Sequence, residues 1–123
     1  MNMLCPKTPR VKDKAHVAFI HALPCCCTLL EGESVVAHHL LRVPTEERGA
    51  ARKSGDNWTL PLANHVHVDL HHCGMDERAF LARYGVNGPA LAALLYQMSG
   101  NELACRRAIF EMRGVNVLRE LEE

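Results

Sequence analysis

Four of the chain's eight histidines fall within residues 65–72, HVHVDLHH, and two more stand side by side as His38 and His39. Imidazole exchanges its proton near neutral pH, and its neutral nitrogen is a common ligand for divalent metals. Histidines clustered in this way point to metal binding, to proton transfer, or to both. Which they can do depends on the local backbone. As a strand, HVHVDLHH would put His65, His67 and Asp69 on one face and Val66, Val68 and Leu70 on the other, but the alternation breaks at His71 and His72. As a helix, it stacks His67 and His71 one turn apart, gathers Val66, Leu70 and Cys73 on an apolar face, and stops at Gly74. The helix accounts for more of the residues.

Two imidazoles at i and i+4 can share a divalent ion, since zinc takes deprotonated nitrogens at about 2.0–2.1 Å. Alone, the HxxxH pair is a weak signal, because it arises readily by chance on a solvated helix face. Ala37-His38-His39, closing a β-prone stretch upstream, strengthens it. A third imidazole from there leaves coordination positions open for water and substrate, as a catalytic ion requires.

Several elements must position these groups. Val11, Ala15, Ala18, Phe19, Ala22 and Leu23 predict an amphipathic helix from Val11 to Leu23, stopped by Pro24. After a turn-like Glu31-Gly32-Glu33-Ser34, Val35-Val36-Ala37 predicts a short strand ending at His38 and His39. Residues 42–56, RVPTEERGAARKSGD, hold no steady apolar period and read as a mobile surface loop. Trp58-Thr59-Leu60 predicts a second strand, ended by Pro61. Beyond HVHVDLHH the chain reads as helical: Asp76 to Tyr84 closed by Gly85, PALAALLYQMS closed by Gly100, and ELACRRAIFEMR, capped by Asn101 and closed by Gly114. The expected class is α+β, with an N-terminal helix and a mostly helical C-terminal half.

Bulk properties narrow the field. A chain of 123 residues makes a single domain, 1–123, with one modest core. Fourteen Lys and Arg balance fourteen Asp and Glu, which argues against a strongly basic nucleic-acid scaffold but not against a local basic patch. No run approaches the roughly 18 to 20 apolar residues that cross a bilayer. The start, MNMLCPKTPRVKDK, lacks the apolar block of a secretory signal, so a cytoplasmic protein with no membrane partner is expected. Of six cysteines, Cys25, Cys26 and Cys27 are consecutive, a poor disulfide framework; reduced thiols or metal ligands fit better.

The order of strand ending in two histidines, loop, strand, and helix bearing HxxxH resembles the HNH, or ββα-metal, endonucleases. Residues from Lys14 to about Tyr96 are also similar to a phage and prophage group, the recombination-enhancement-function type nucleases, through AHVAFIHALPC (15–25), AHH (37–39), GDNWTLPL (55–62), HVDLH (67–71) and GMDERAFLARYGV (74–86). The resemblance covers roughly two thirds of the chain. It implies a small ββα-metal core within residues 14–96, a helical extension over 97–123, and cleavage of DNA phosphodiester bonds with little sequence specificity. One divalent ion (Mg, Mn or Zn) would be held by His38, His67 and His71, and His39 would be the general base. The reverse assignment of His38 and His39 stays open, because adjacent strand residues point to opposite faces. Arg42, Arg52 and Lys53 would approach the DNA phosphates, and Asn57 would brace the loop that holds the base.

Two departures stand out. Relatives in this group often carry a structural zinc on a CxxC and a Cys-x-x-His; here those positions hold Cys25, Thr28, Ala63 and Val66, so the site is expected to be degenerate and filled by packing. Cys26 or Cys27, with His65, is a remote means of rebuilding it. The asparagine of the HNH name has Asp56 and Asn57 as nearest candidates, with Trp58 at the position itself. His16 and His21 read as surface or boundary residues, Asp69 as facing water or orienting an imidazole, and Arg106 and Arg107 as a solvated helix face. Cys105 joins Leu103, Ala108, Ile109 and Met112 on a face for core or interface burial. Two rival readings follow: a catalytically inactive ββα-metal module binding DNA or a partner protein, and a helical interaction protein forming a homodimer through its C-terminal helices.

Overall fold

The computed structural model describes residues 10–32, 34–41, 43 and 54–114. Helix α1 (Lys14–His21) opens at Asp13, whose carboxylate accepts the backbone N–H of His16 at 3.0 Å. It is shorter than the helix expected from Val11, because the preceding residues bond elsewhere: the carbonyl of Val11 accepts the backbone N–H of Asp56 at 2.8 Å. Its inward face also differs. His16, Ile20 and Leu23 are buried, while Ala15, Ala18 and Ala22 face outward. Burial is worth about 0.8 kcal/mol per CH₂, so isoleucine and leucine decide the orientation over alanine. His16, read as a surface or boundary residue, lies fully inside against Tyr96, with its Nδ1 2.6 Å from the hydroxyl of Ser99.

Strands β1 (Val35–His39) and β2 (Thr59–Ala63) form an antiparallel pair in which His38 lies opposite Leu60 and His39 opposite Thr59. Pro61 does not end the second strand as expected; it sits within β2 opposite Ala37, and its carbonyl accepts the backbone N–H of Cys26 at 2.9 Å. A two-stranded ribbon leaves each strand one unpaired edge, where a residue without an N–H is tolerated. Every residue of β2 is buried.

Helix α2 (Asn64–His72) follows β2 with no linker and packs on both strands through Val66 and Leu70. Cys73, placed on the same apolar face by the sequence pattern, is exposed. The remaining helices are α3 (Glu77–Ala82), α4 (Gly88–Gln97) and α5 (Glu102–Met112). Asn87 and Asn101 cap the last two by accepting the N–H groups of Ala90 and Ala104, each at 3.1 Å. Gly85 closes the turn after α3 at a φ of 80°, a left-handed conformation that only glycine adopts without a steric penalty.

The core joins Leu60 and Leu62 of β2, Val66 and Leu70 of α2, Leu91 and Leu95 of α4, and Cys105 and Ile109 of α5. Leu103, expected on that face, is 69% exposed. Arg106, expected to be solvated, grips Glu31 with two guanidinium nitrogens at 2.8–2.9 Å. Arg113 donates to the carbonyls of Cys27 at 3.1 Å and Tyr84 at 2.6 Å, tying the helical half to the turn after α1. The result is a small α+β fold, and among the described residues no helix is long and apolar enough to cross a membrane.

Candidate metal centre

Because α2 leaves β2 directly and packs across the ribbon, its inward turns lie over the end of β1. His38, buried on β1, meets His67 and His71 of α2 there, at ring-centroid separations of 5.1 and 5.7 Å. The two helical rings are 4.6 Å apart, with their Nε2 atoms at 3.2 Å. A donor nitrogen from each of the three rings lies within 4.8 Å of the other two. Two nitrogens bound tetrahedrally to zinc at about 2.0–2.1 Å stand about 3.4 Å apart. The pair on α2 is already close to that spacing, at 3.2 Å, and His38 brings a donor nitrogen within 4.8 Å of both. The donor set therefore fits a divalent ion. Among the described residues no other group of three or more histidine, cysteine or acidic side chains does so.

Electrostatics favour the ligand-competent state of His67. Burial, with the neighbouring His38 and His71, holds its pKa below the ordinary value, so the ring stays neutral, with one nitrogen unprotonated for an ion.

His39, next in the chain to His38, is not in this group. Its Nε2–H donates to Asp56 Oδ1 at 2.8 Å. The divergence follows from strand alternation, and it separates the two histidines that the sequence left interchangeable. Asp56 is itself anchored: its other oxygen accepts the N–H of Asp13 at 2.8 Å, and Arg10 approaches at 3.4 Å. Burial works to raise the Asp56 pKa, but the bond from His39, the bond from Asp13 and the nearby charges of His39 and Arg10 outweigh it, so the carboxyl lies below its usual range.

Nε2–H of His38 has its own carboxylate, Glu77, at 2.7 Å. Glu77 is buried at the start of α3 and also accepts the backbone N–H of Leu41, at 3.0 Å to both oxygens. Each member of the HH pair is thus held by a different acid, and nothing in the local sequence pairs either acid with its histidine.

Other expectations fare differently. Asn57, expected as the brace, does not reach His39; its side-chain oxygen is buried without a hydrogen-bond partner among the described residues. The tight turn in which Trp58 N–H donates to the carbonyl of Gly55 at 3.0 Å presents Asp56 to the histidine instead. The expected surface loop ends early, since Ser54, Gly55 and Asp56 are buried. Arg42, Arg52 and Lys53 lie outside the described residues. His65, His72 and Asp69 are exposed. His21 is exposed too, with its Nδ1 3.1 Å from the carbonyl of Val35. At the position where a degenerate zinc site was expected, Cys25 is a buried free thiol whose sulfur accepts the N–H of Thr28 at 3.4 Å. A hydrogen bond with Cys27 and burial push its pKa up to about 12, an environment hostile to the thiolate a metal needs. Neither Cys26 nor Cys27 joins His65 in a metal-sized group.

Residues 1–99 match the family described as "Protein of unknown function (DUF968)", and the chain belongs to that family. No curated protein and no solved structure matches the chain.

Proposed function

We propose that this chain is a divalent-metal-dependent endonuclease of the HNH, ββα-metal type, hydrolysing DNA phosphodiester bonds with little sequence choice. One observation carries the reading: three imidazoles converge from a strand pair and the helix that follows it, while a fourth, on the next residue, is held apart by its own carboxylate. That arrangement supports reading the cluster as a metal centre with a separate base. The resemblance set out above supplies the phosphodiester chemistry.

His38, His67 and His71 would hold the ion, which when bound supplies Lewis-acid stabilisation of charge on the scissile phosphate and its departing oxygen. His39 performs the proton transfer. With Nε2–H committed to Asp56, Nδ1 is the nitrogen left to take a proton from the attacking water. Asp56 fixes that tautomer and stabilises the imidazolium that results. The side chain of His39 is 23% exposed, so the proton can then pass to solvent. Arg10 and the Asp13 N–H keep Asp56 from turning away. Arg42, Arg52 and Lys53 are proposed to neutralise backbone phosphates, a term that weakens as salt rises.

The test is nicking of supercoiled plasmid by protein first stripped with chelator and then supplied with Mn²⁺, Zn²⁺ or Mg²⁺. Cleavage that appears only with an added ion supports the proposal. Binding of an ion with no cleavage under any of the three would overturn it in favour of a catalytically idle metal-stabilised module.

A further inference from the structure

Glu77 is a nine-tenths buried carboxylate that the proposed proton transfer does not use. It accepts Nε2–H of His38 at 2.7 Å and the backbone N–H of Leu41 at 3.0 Å, reaching across 39 and 36 residues of sequence. Burying an acid is costly unless its oxygens are satisfied, and these two donors do that. The same contacts dock the start of α3 against the end of β1, beside the three-histidine cluster.

We propose that Glu77 is a positioning residue for the metal centre, fixing His38 as its Nε2–H tautomer so that Nδ1 offers its lone pair to an ion shared with His67 and His71. The inference rests on reading the cluster as a metal site, and it names the residue that prepares that site. A neutral imidazole carries one proton on either nitrogen, and an ion accepts only the unprotonated one. Without a carboxylate at Nε2, His38 would divide between two tautomers, one of them presenting an N–H toward the ion. The bond from Leu41 completes the device by holding Glu77 with a backbone group of the segment that leaves β1, so ring and acid move as one unit. Charge acts in the same direction. Three neutral imidazoles leave a divalent ion's charge uncompensated, and a buried carboxylate one ring away raises the donor strength of His38.

Three measurements on the full chain decide this: Mn²⁺ affinity of the parent and of Glu77→Gln by calorimetry, circular dichroism of both, and the ring-nitrogen NMR signals of His38 in the metal-free parent. Glutamine can accept or donate at Nε2, so it keeps the shape of the site and loses the tautomer preference. Expected are a folded variant that binds Mn²⁺ about 10- to 100-fold more weakly, and a parental His38 protonated on Nε2. A folded Glu77→Gln that binds Mn²⁺ as tightly as the parent overturns the inference while leaving the metal centre in place. So does a parental His38 protonated on Nδ1, which also decides the matter should the variant fail to fold. A parent that binds no Mn²⁺ overturns both the metal centre and this role of Glu77. A parent that binds Mn²⁺ without nicking plasmid, beside a weakened variant, removes the nuclease reading and sustains the role of Glu77.

Discussion

His39 and Asp56, seventeen residues apart, share a 2.8 Å hydrogen bond at the mouth of the β-ribbon, on a carboxylate that the N–H of Asp13 holds in place. The bond gives the imidazole one tautomer and one orientation. Replacing Asp56 with alanine frees the ring while leaving His38, His67 and His71 untouched. Plasmid nicking at saturating Mn²⁺ should therefore fall by about tenfold or more, a loss below the roughly 10²–10⁴-fold worth of the base itself. Mn²⁺ affinity should stay within about twofold of the parent. A comparable loss of metal binding would place Asp56 in the metal centre instead.

The same carboxylate links stability to acid. Its folded pKa lies below the ordinary value near 3.8, so its contribution is fully present above that value and is lost as pH falls through the folded pKa. Asp56→Asn should cost about 1.5–3 kcal/mol near neutral pH, the range for hydrogen bonds to a charged group. It should also flatten the fall in stability at the acid end. Denaturant titrations of parent and variant at pH 7 and at pH 3 check both.

His16 acts in a milder pH window with the same sign. Burial lowers its pKa below 6.5 against the upward pull of Asp13 and Asp56, so the fold prefers the neutral ring. The unfolded chain binds the proton more readily. Stability tied to His16 is therefore complete above pH 6.5 and declines as pH drops through the folded pKa. His16→Phe keeps the ring against Tyr96 and removes the titration. As pH falls from 7.5 toward 5, the melting temperature of the chelated parent should drop further than that of the chelated variant, since the other histidines are common to both.

Ion binding should stabilise the fold, because the three ligands come together only in the folded state. At a free ion concentration of about 100 Kd the gain is about 2.7 kcal/mol. Chelation should reverse it, and His67→Ala should abolish it. Imidazole donors favour transition-series ions, whereas Mg²⁺ prefers oxygen ligands, so Mn²⁺ and Zn²⁺ should raise the melting temperature at concentrations where Mg²⁺ has no effect. Thermal melts across the three ions read this directly.

What could be read from sequence was local. The His67 and His71 pair followed from helical spacing, and the strand end at His38 and His39 from β-branched residues before it. The acids Asp56 and Glu77 were not legible as partners. Each reaches its histidine only through the tertiary fold, and an acidic residue at a helix start, as Glu77 is, has an ordinary local explanation in the helix dipole. The orientation of α1 is hidden for a related reason: Ala15, Ala18 and Ala22 set up an apolar period that leaves Ile20 off its face, yet burying them releases far less apolar surface than burying Ile20. Pro61 reads as a strand stop because nothing in its neighbours reveals that, among the described residues, the ribbon has only two strands.

The most direct test of the central claim, a metal centre and a separate base built from neighbouring histidines, is the plasmid-nicking rate of His39→Ala saturated with Mn²⁺ against the parent in the same ion. On the proposed function, the variant still takes up one Mn²⁺ per chain but cuts about 10²- to 10⁴-fold more slowly. A variant that cuts at the parental rate would contradict the account.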